Sequence, residues 1–269
     1  MSFDPSTIQD GIKDRPRKIL IYGPPKIGKS TLTGATKDAL MIPTEDRVDH
    51  IQCKKTPIPK QLEDVFEVIQ YLANDKHPFK RLIIDTIDWL EPLIHDYVCR
   101  KNGFKSITDD HNKETAFQKG LKYHAVAGWK ELLAGLDYLR DSGVGVVLVA
   151  HDAIVKHDPP DGDSYDKSVM KIDKNALSVV EEWADMIGYY NRKVFVKTDE
   201  GKSGKAVNAN NRMLHLSGNN PAFISGNSFG FGDFEVDLER TPEIMEALFT
   251  SKVGSEAKEE KAKTKKEEK

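Results

Sequence analysis

Gly23-Pro24-Pro25-Lys26-Ile27-Gly28-Lys29-Ser30 decides how the rest of the chain is read. It fits G-x-x-x-x-G-K-[ST] at every position, a pattern that average residue usage produces in only ~1% of chains this long. Its flanks fit as well. The apolar run Lys18 to Tyr22 (KILIY) before it has the length of a buried strand, and a helix is expected to open near Thr31. Strand, glycine loop and helix together form a cradle for phosphate. The loop's N–H groups converge on anionic oxygens, and the helix aims its positive end at the same place. Gly23 and Gly28 let the backbone turn tightly and approach a ligand closely. Pro24, Pro25, Lys26 and Ile27 span the loop between them. Lys29 is expected at the β- and γ-phosphates, Ser30 at Mg²⁺, and Thr31 on the α-phosphate side. ATP and Mg²⁺ are therefore the expected ligands.

Such a loop hydrolyses nothing alone. It needs a carboxylate in the magnesium shell and a group that orients the attacking water. In Arg81-Leu82-Ile83-Ile84-Asp85, three apolar residues run into an acid at a strand end, so Asp85 is expected to hold Mg²⁺ through its water shell. Asp88, one turn later, reads as a surface or helix residue. Pro43-Thr44-Glu45-Asp46 follows a short strand ending near Ile42, and strand C-termini line the ligand crevice in this kind of sheet. Glu45 is the candidate for water activation, with Asp46 as its rival. His151 closes the strand Gly145 to Ala150 and is placed to hydrogen-bond the γ-phosphate and report it to the following loop. Lys29, Glu45 and His151 are thus the catalytic candidates.

Around these motifs, strands alternate with helices. Ala39 to Ile42 and Met186 to Tyr190 add two strands, and Gln61 to Ala73 and Trp129 to Arg140 have helical spacing. Lys193 to Lys197 and Ala206 to Leu216 flank a Gly/Lys/Asp turn, which predicts a β-hairpin. Thr241-Pro242-Glu243 marks a helix start. The fold class is α/β: a P-loop core with a mostly parallel sheet flanked by helices and a C-terminal hairpin. We expect an N-terminal extension over 1–17, one domain over 18–250, and a disordered Lys/Glu-rich tail over 251–269. Hydrophobic residues make up 38% and charged residues 31% of the 269, and the net charge is −3. No apolar run approaches the roughly 20 residues of a membrane helix. The polar N-terminus is not a secretory signal, and Cys53 and Cys99 have no metal-ligand spacing, so a cytoplasmic protein is expected.

GPPKIGKST, then TED, then RLIIDTIDWL, then VVLVAHD resembles, in order and spacing, the phage-type AAA/RecA-like ATPases, including the RecA-like Sak single-strand annealing proteins. Lys119 to Tyr123, Trp183 to Gly188 and Arg212-Met213-Leu214 resemble lesser motifs of that family, so the likeness spans about Lys18 to Asn227. It implies a RecA-type core, ATP with Mg²⁺, single-stranded DNA binding, a role in phage recombination beside a single-strand binding protein, and a homo-oligomer whose neighbour completes the ATP site. Glu45 matches the family's glutamate and His151 its sensor position. The basic cluster that often follows the family's C-terminal hairpin is replaced here by Ile224 to Ser228, leaving Arg212 as the trans-acting candidate.

The resemblance also places the loop Asp152 to Asn175 against DNA, with Lys156, Lys167 and Lys171 as contacts and a mobile character from its Pro, Gly and Asp content. The hairpin Arg192 to Lys205 is more basic, with Arg192, Lys193, Lys197, Lys202 and Lys205 against Asp199 and Glu200. Tyr189, Tyr190 and Phe195 stack bases if exposed, and serve the core if not. Two other readings stay open. One is a binding module for which ATP is a structural or switching ligand. The other is a small-molecule kinase, disfavoured because the segment after His151 lacks lid arginines.

Overall fold

Ile19 to Tyr22, Leu82 to Ile84 and Val146 to Ala150 are apolar on both sides of the pleat, so each strand needs cover on both faces. All of these residues are fully buried. The structure, a computed structural model, describes residues 15–197 and 205–250 together with Asp4 and Gly11; the side-chain surroundings of 194–197 and 205–210 are not part of it. Most of the expected extension, the expected tail and Lys202 lie outside the described residues.

The strands are β1 (Lys18–Gly23), β2 (Ala39–Pro43), β3 (Lys54–Lys55), β4 (Arg81–Asp85), β5 (Gly145–His157), β6 (Tyr165–Met170), β7 (Met186–Lys197), β8 (Lys205–His215), β9 (Gly226–Asn227) and β10 (Phe234–Val236). They form one sheet in the order β10-β8-β7-β1-β5-β4-β2-β3, with β6 on β5 and β9 on β7. From β7 across to β3 the pairing is parallel; β8, β10, β6 and β9 add antiparallel. The helices are α1 (Lys29–Gly34), α2 (Leu62–Asn74), α3 (Ile87–Asn102), α4 (Val126–Asp141), α5 (Lys174–Trp183) and α6 (Thr241–Thr250).

Side chains alternate across the pleat, and two cores result. Leu20, Tyr22, Leu82, Ile84, Val146 and Leu148 face α2 to α5, where Leu62, Val65, Ile69 and Leu72 of α2 and the fully buried Trp129 of α4 pack. Ile19, Ile21, Ile83, Val147 and Val149 face the other way, onto Leu32 of α1 and Met245 and Leu248 of α6. Arg17 donates to the Leu248 carbonyl at 2.6 Å and Arg81 pairs with Glu246 at 3.0 Å, so two buried cations beneath the sheet hold α6 in place.

Two expectations need correction. The segment after His151 is not a mobile loop: β5 runs on to His157 and returns as β6. Ile154 and Val155 favour extended backbone, and Pro159-Pro160-Asp161-Gly162 supplies the turn, so local chemistry favours a hairpin. Met186 to Tyr190 is not a separate strand from the C-terminal hairpin but the first half of β7. Of the two readings of Tyr189 and Tyr190 the core one holds: both are buried, with Tyr189 stacked on Phe223 at 4.6 Å.

The base of the glycine loop is packed tightly. A Cβ built on Gly23 would lie 2.0 Å from the Tyr190 carbonyl oxygen, which is backbone and cannot rotate away. Gly23→Ala is therefore expected to destabilise the fold by about 1–3 kcal/mol, as overpacking does. A thermal melt checks this, with the midpoint falling by roughly 3–10 °C.

Candidate nucleotide site

The parallel register brings the ends of β1, β2 and β4 to one edge of the sheet, near His151 within β5. Gly23 is level with His151, Asp85 with Val149, and Pro43 with Asp85. Because β5 lies between β1 and β4, the glycine loop and the Asp85 carboxylate flank His151. The cleft above has a volume of about 420 Å³ and is lined by Pro25, Lys26, Gly28, Lys29, Ser30, Thr31, Glu45, Arg47, Val48, His50, Thr86, His151 and Arg212.

The glycine loop takes the shape its sequence predicts. Gly28, at φ 104°, stands just before α1, and Lys26 also has a positive φ of 62°. Lys29 is the first residue of α1 and is 5% exposed. Its Nζ donates to the carbonyls of Gly23 at 2.8 Å and Pro24 at 3.0 Å. Burial pushes the ammonium's pKa down, while Asp85, Asp152, Asp88 and Glu45 push it back. Ser30 is half-buried and Thr31 exposed, both on the cleft wall.

Asp85 is fully buried at the end of β4. Neither of its carboxylate oxygens meets a donor in hydrogen-bond geometry, and the Thr86 hydroxyl is equally unpartnered. Burial raises the Asp85 carboxyl. The nearby Ser30 hydroxyl lowers it, Glu45 raises it further, and Lys29 and His151 lower it. A buried carboxylate without partners, between a Ser hydroxyl and a phosphate cradle, fits a hydrated divalent cation, which would satisfy it. Among the described residues no cluster of three or more His, Cys, Asp or Glu forms a metal cage. Mg²⁺ ordinarily takes one or two protein groups plus phosphate oxygens, and Ser30 and Asp85 are two such groups.

Beside this floor, the end of β2 is pinned to the end of β4. The Thr44 hydroxyl accepts from the Thr86 N–H and donates to the Thr86 carbonyl, both at 2.7 Å, and the Thr44 N–H donates to the Asp85 carbonyl at 2.8 Å. Glu45 is the next residue, with its side chain 17% exposed and its Oε1 4.0 Å from His151 Nε2. Asp46, the rival, is exposed and does not line the cleft.

His151, midway along β5, is held by more than the sheet. Its backbone N–H donates to Asp88 Oδ1 at 3.0 Å, and its Nδ1 lies 2.9 Å from Asp88 Oδ2. Asp88 is in the first turn of α3 with its side chain only 4% exposed, which corrects the surface reading. Burial pushes its carboxyl up, but the His151 hydrogen bonds outweigh this and leave it below the ordinary value.

Arg212, on β8, is engaged within its own chain: its Nε donates to the Ile27 carbonyl at 2.7 Å. Arg192 stands opposite Arg212 in the β7–β8 ladder and lines an adjoining cleft with Pro24, Pro25, Lys26, Ile27, Tyr189 and Asn191. The lysines named for DNA fall on two hairpins. On β5–β6, Lys156 is exposed opposite Asp166, whereas Lys167 lies opposite Val155 on the other face; Lys171 is exposed just beyond β6. Lys193 is exposed on β7, and Lys197 and Lys205 pair across the far end of that ladder.

Sequence reading missed Asp88, Thr44, Thr86, Arg47 and His50 at this site. Only Asp88 had a local signal, one helical turn beyond Asp85. A protein-family model described as an AAA domain matches residues 15–228 of the chain. No curated protein matches it.

Proposed function

The chain belongs to the AAA domain family, and from that premise we propose that it binds and hydrolyses ATP, binds single-stranded DNA, and promotes annealing in phage recombination. The observation that supports the ATPase reading most is the buried, unpartnered Asp85 carboxylate at the floor of the Lys29–Ser30 cradle. Nucleotide binding and ATPase activity are what the family suggests. DNA and annealing are the further step.

In this reading Lys29 leaves the Gly23 and Pro24 carbonyls to meet phosphate oxygens, and the loop N–H groups hold the rest of the phosphate chain. Ser30 and Asp85 would hold Mg²⁺. When bound, Mg²⁺ neutralises charge on the phosphoryl group being transferred. Glu45 takes a proton from the attacking water. His151 faces the same space from the middle of β5, where phosphate can bias its position. Arg212 lines the cleft of its own chain while resting on the Ile27 carbonyl; service to a neighbouring subunit in a homo-oligomer requires it to leave that carbonyl.

The DNA reading rests on two things. The sensor strand β5 continues without a break into the β5–β6 hairpin, which carries exposed Lys156, so a shift at His151 reaches a surface that can meet phosphate. The resemblance of the ordered motifs to the RecA-like annealing proteins supplies the rest. A cytoplasmic location, inside a bacterial host, and a single-strand binding protein as companion belong to the same proposal; among the described residues no helix is long and apolar enough to cross a membrane.

ATP turnover with and without single-stranded DNA tests the proposal. Turnover that rises with DNA, and falls back in Lys156→Ala with Lys171→Ala, supports it. Turnover indifferent to DNA leaves a P-loop ATPase and removes the recombination role.

A further inference from the structure

We infer that Asp88 is a positioning residue for hydrolysis, which fixes the proton of His151 on Nδ1 and so presents a bare Nε2 to Glu45. The inference rests on the ATPase reading for its chemistry; the tautomer stands on the two contacts between Asp88 and His151.

Both Asp88 oxygens are committed to His151, Oδ1 to its backbone N–H and Oδ2 to its ring. An ionised carboxylate only accepts, so the ring atom at 2.9 Å must be the donor. The His151 hydrogen bonds also hold the Asp88 carboxyl below its ordinary value, against the upward push of burial. With Nδ1 protonated, the neutral ring offers Nε2 as a lone pair. That atom points into the cleft, 4.0 Å from Glu45 Oε1. The arrangement of buried acid, His and reacting group is the one by which an Asp sets tautomer and orientation in other hydrolases. The same acid also fixes the backbone at residue 151, whose carbonyl accepts from the Lys171 N–H at 2.9 Å at the base of the hairpin.

The step it serves balances as follows. As the water oxygen bonds to phosphorus, Glu45 takes the water proton and the bond to the leaving diphosphate breaks. The proton then passes from Glu45 to Nε2 of His151, and the imidazolium is stabilised by the Asp88 carboxylate. Loss of that proton to solvent through the open cleft restores both groups. The 4.0 Å gap closes by a small side-chain movement, as hydrogen bonds in ligand-free sites commonly do.

Asp88→Asn separates positioning from packing, because the two side chains have one shape. The backbone N–H of residue 151 still requires an acceptor, so the Asn oxygen turns to it. The Asn NH₂ then faces Nδ1, which must become the acceptor, and the proton moves to Nε2. Nitrogen-15 NMR of the histidine rings in the full chain, with His151 assigned by its loss in His151→Gln, reads this directly. The expected result is an Nδ1–H ring in the wild type and an Nε2–H ring in Asp88→Asn. The expected kinetic result is a kcat lower by roughly 10- to 100-fold with the KM for ATP little changed. The double variant Asp88→Asn with His151→Gln should lose no more than His151→Gln alone, because the two act as one unit. An Nε2–H ring in the wild type, or one unmoved by Asp88→Asn, overturns the inference. Equal kcat in Asp88→Asn and an active wild type also overturns it. A wild type that binds ATP without turnover sinks the ATPase reading and the proton step, while the tautomer pair then decides the positioning by itself.

Discussion

Glu45→Gln is expected to lower ATP turnover by about 10²- to 10⁴-fold, the range that a positioned general base contributes. ATP affinity should stay nearly unchanged. Glutamine keeps the shape and an acceptor oxygen but cannot take a proton at neutral pH. The position supports the role. Thr44 is locked to Thr86 by two 2.7 Å hydrogen bonds, so Glu45 leaves a rigid strand end rather than a loose loop. Its side chain lines the cleft between the Lys29–Ser30 cradle and His151. Asp46 is the internal control. It is exposed and outside the cleft, so Asp46→Asn should leave turnover within about twofold, as surface substitutions away from a site ordinarily do. Phosphate release, paired with equilibrium ATP binding, reads both variants. Wild-type turnover in Glu45→Gln with loss in Asp46→Asn would reverse the assignment.

Lys29→Ala is expected to abolish detectable turnover by weakening ATP itself. Two charge-assisted hydrogen bonds to phosphate, at roughly 1.5–3 kcal/mol each, correspond to about 10²- to 10⁴-fold in affinity. The fold should survive. In the ligand-free chain the ammonium sits on the Gly23 and Pro24 carbonyls and not in an ion pair, with burial already pushing its pKa down. Removing it takes away one donor for those carbonyls and relieves one buried charge, and these effects oppose each other. The thermal midpoint should therefore move by only a few degrees, about 1 kcal/mol. Isothermal titration with Mg²⁺ and ATP, beside a melt, distinguishes lost binding from lost folding.

How much of this was visible beforehand depended on how local the cause is. The glycine loop is eight consecutive residues, so its chemistry was written in one place. Asp85, Glu45 and His151 each follow an apolar run, and parallel strands deliver their ends to one edge, which is why three distant residues meet as expected. Asp88 was misjudged because its partner lies 63 positions away, and nothing near it in sequence says that His151 will face it. The same holds for Arg212 on Ile27, 185 positions apart, and for Thr44 on Thr86. The hairpin β5–β6 was legible and overlooked. Its Pro and Asp content suggested a loop, whereas Pro159-Pro160-Asp161-Gly162 marks a turn between extended segments with β-branched residues. For Tyr189 and Tyr190 the sequence left base stacking and core packing open, and the sheet's continuation past β1 into β7 buries both.

The most direct measurement is phosphate release from ATP by the full wild-type chain in Mg²⁺ and in chelator, with Lys29→Ala alongside. Release that requires Mg²⁺ and vanishes in Lys29→Ala is the result expected of a cradle built from Lys29, Ser30 and Asp85. Release that persists in chelator or in Lys29→Ala, or a wild type that fails to bind ATP at all, would contradict it.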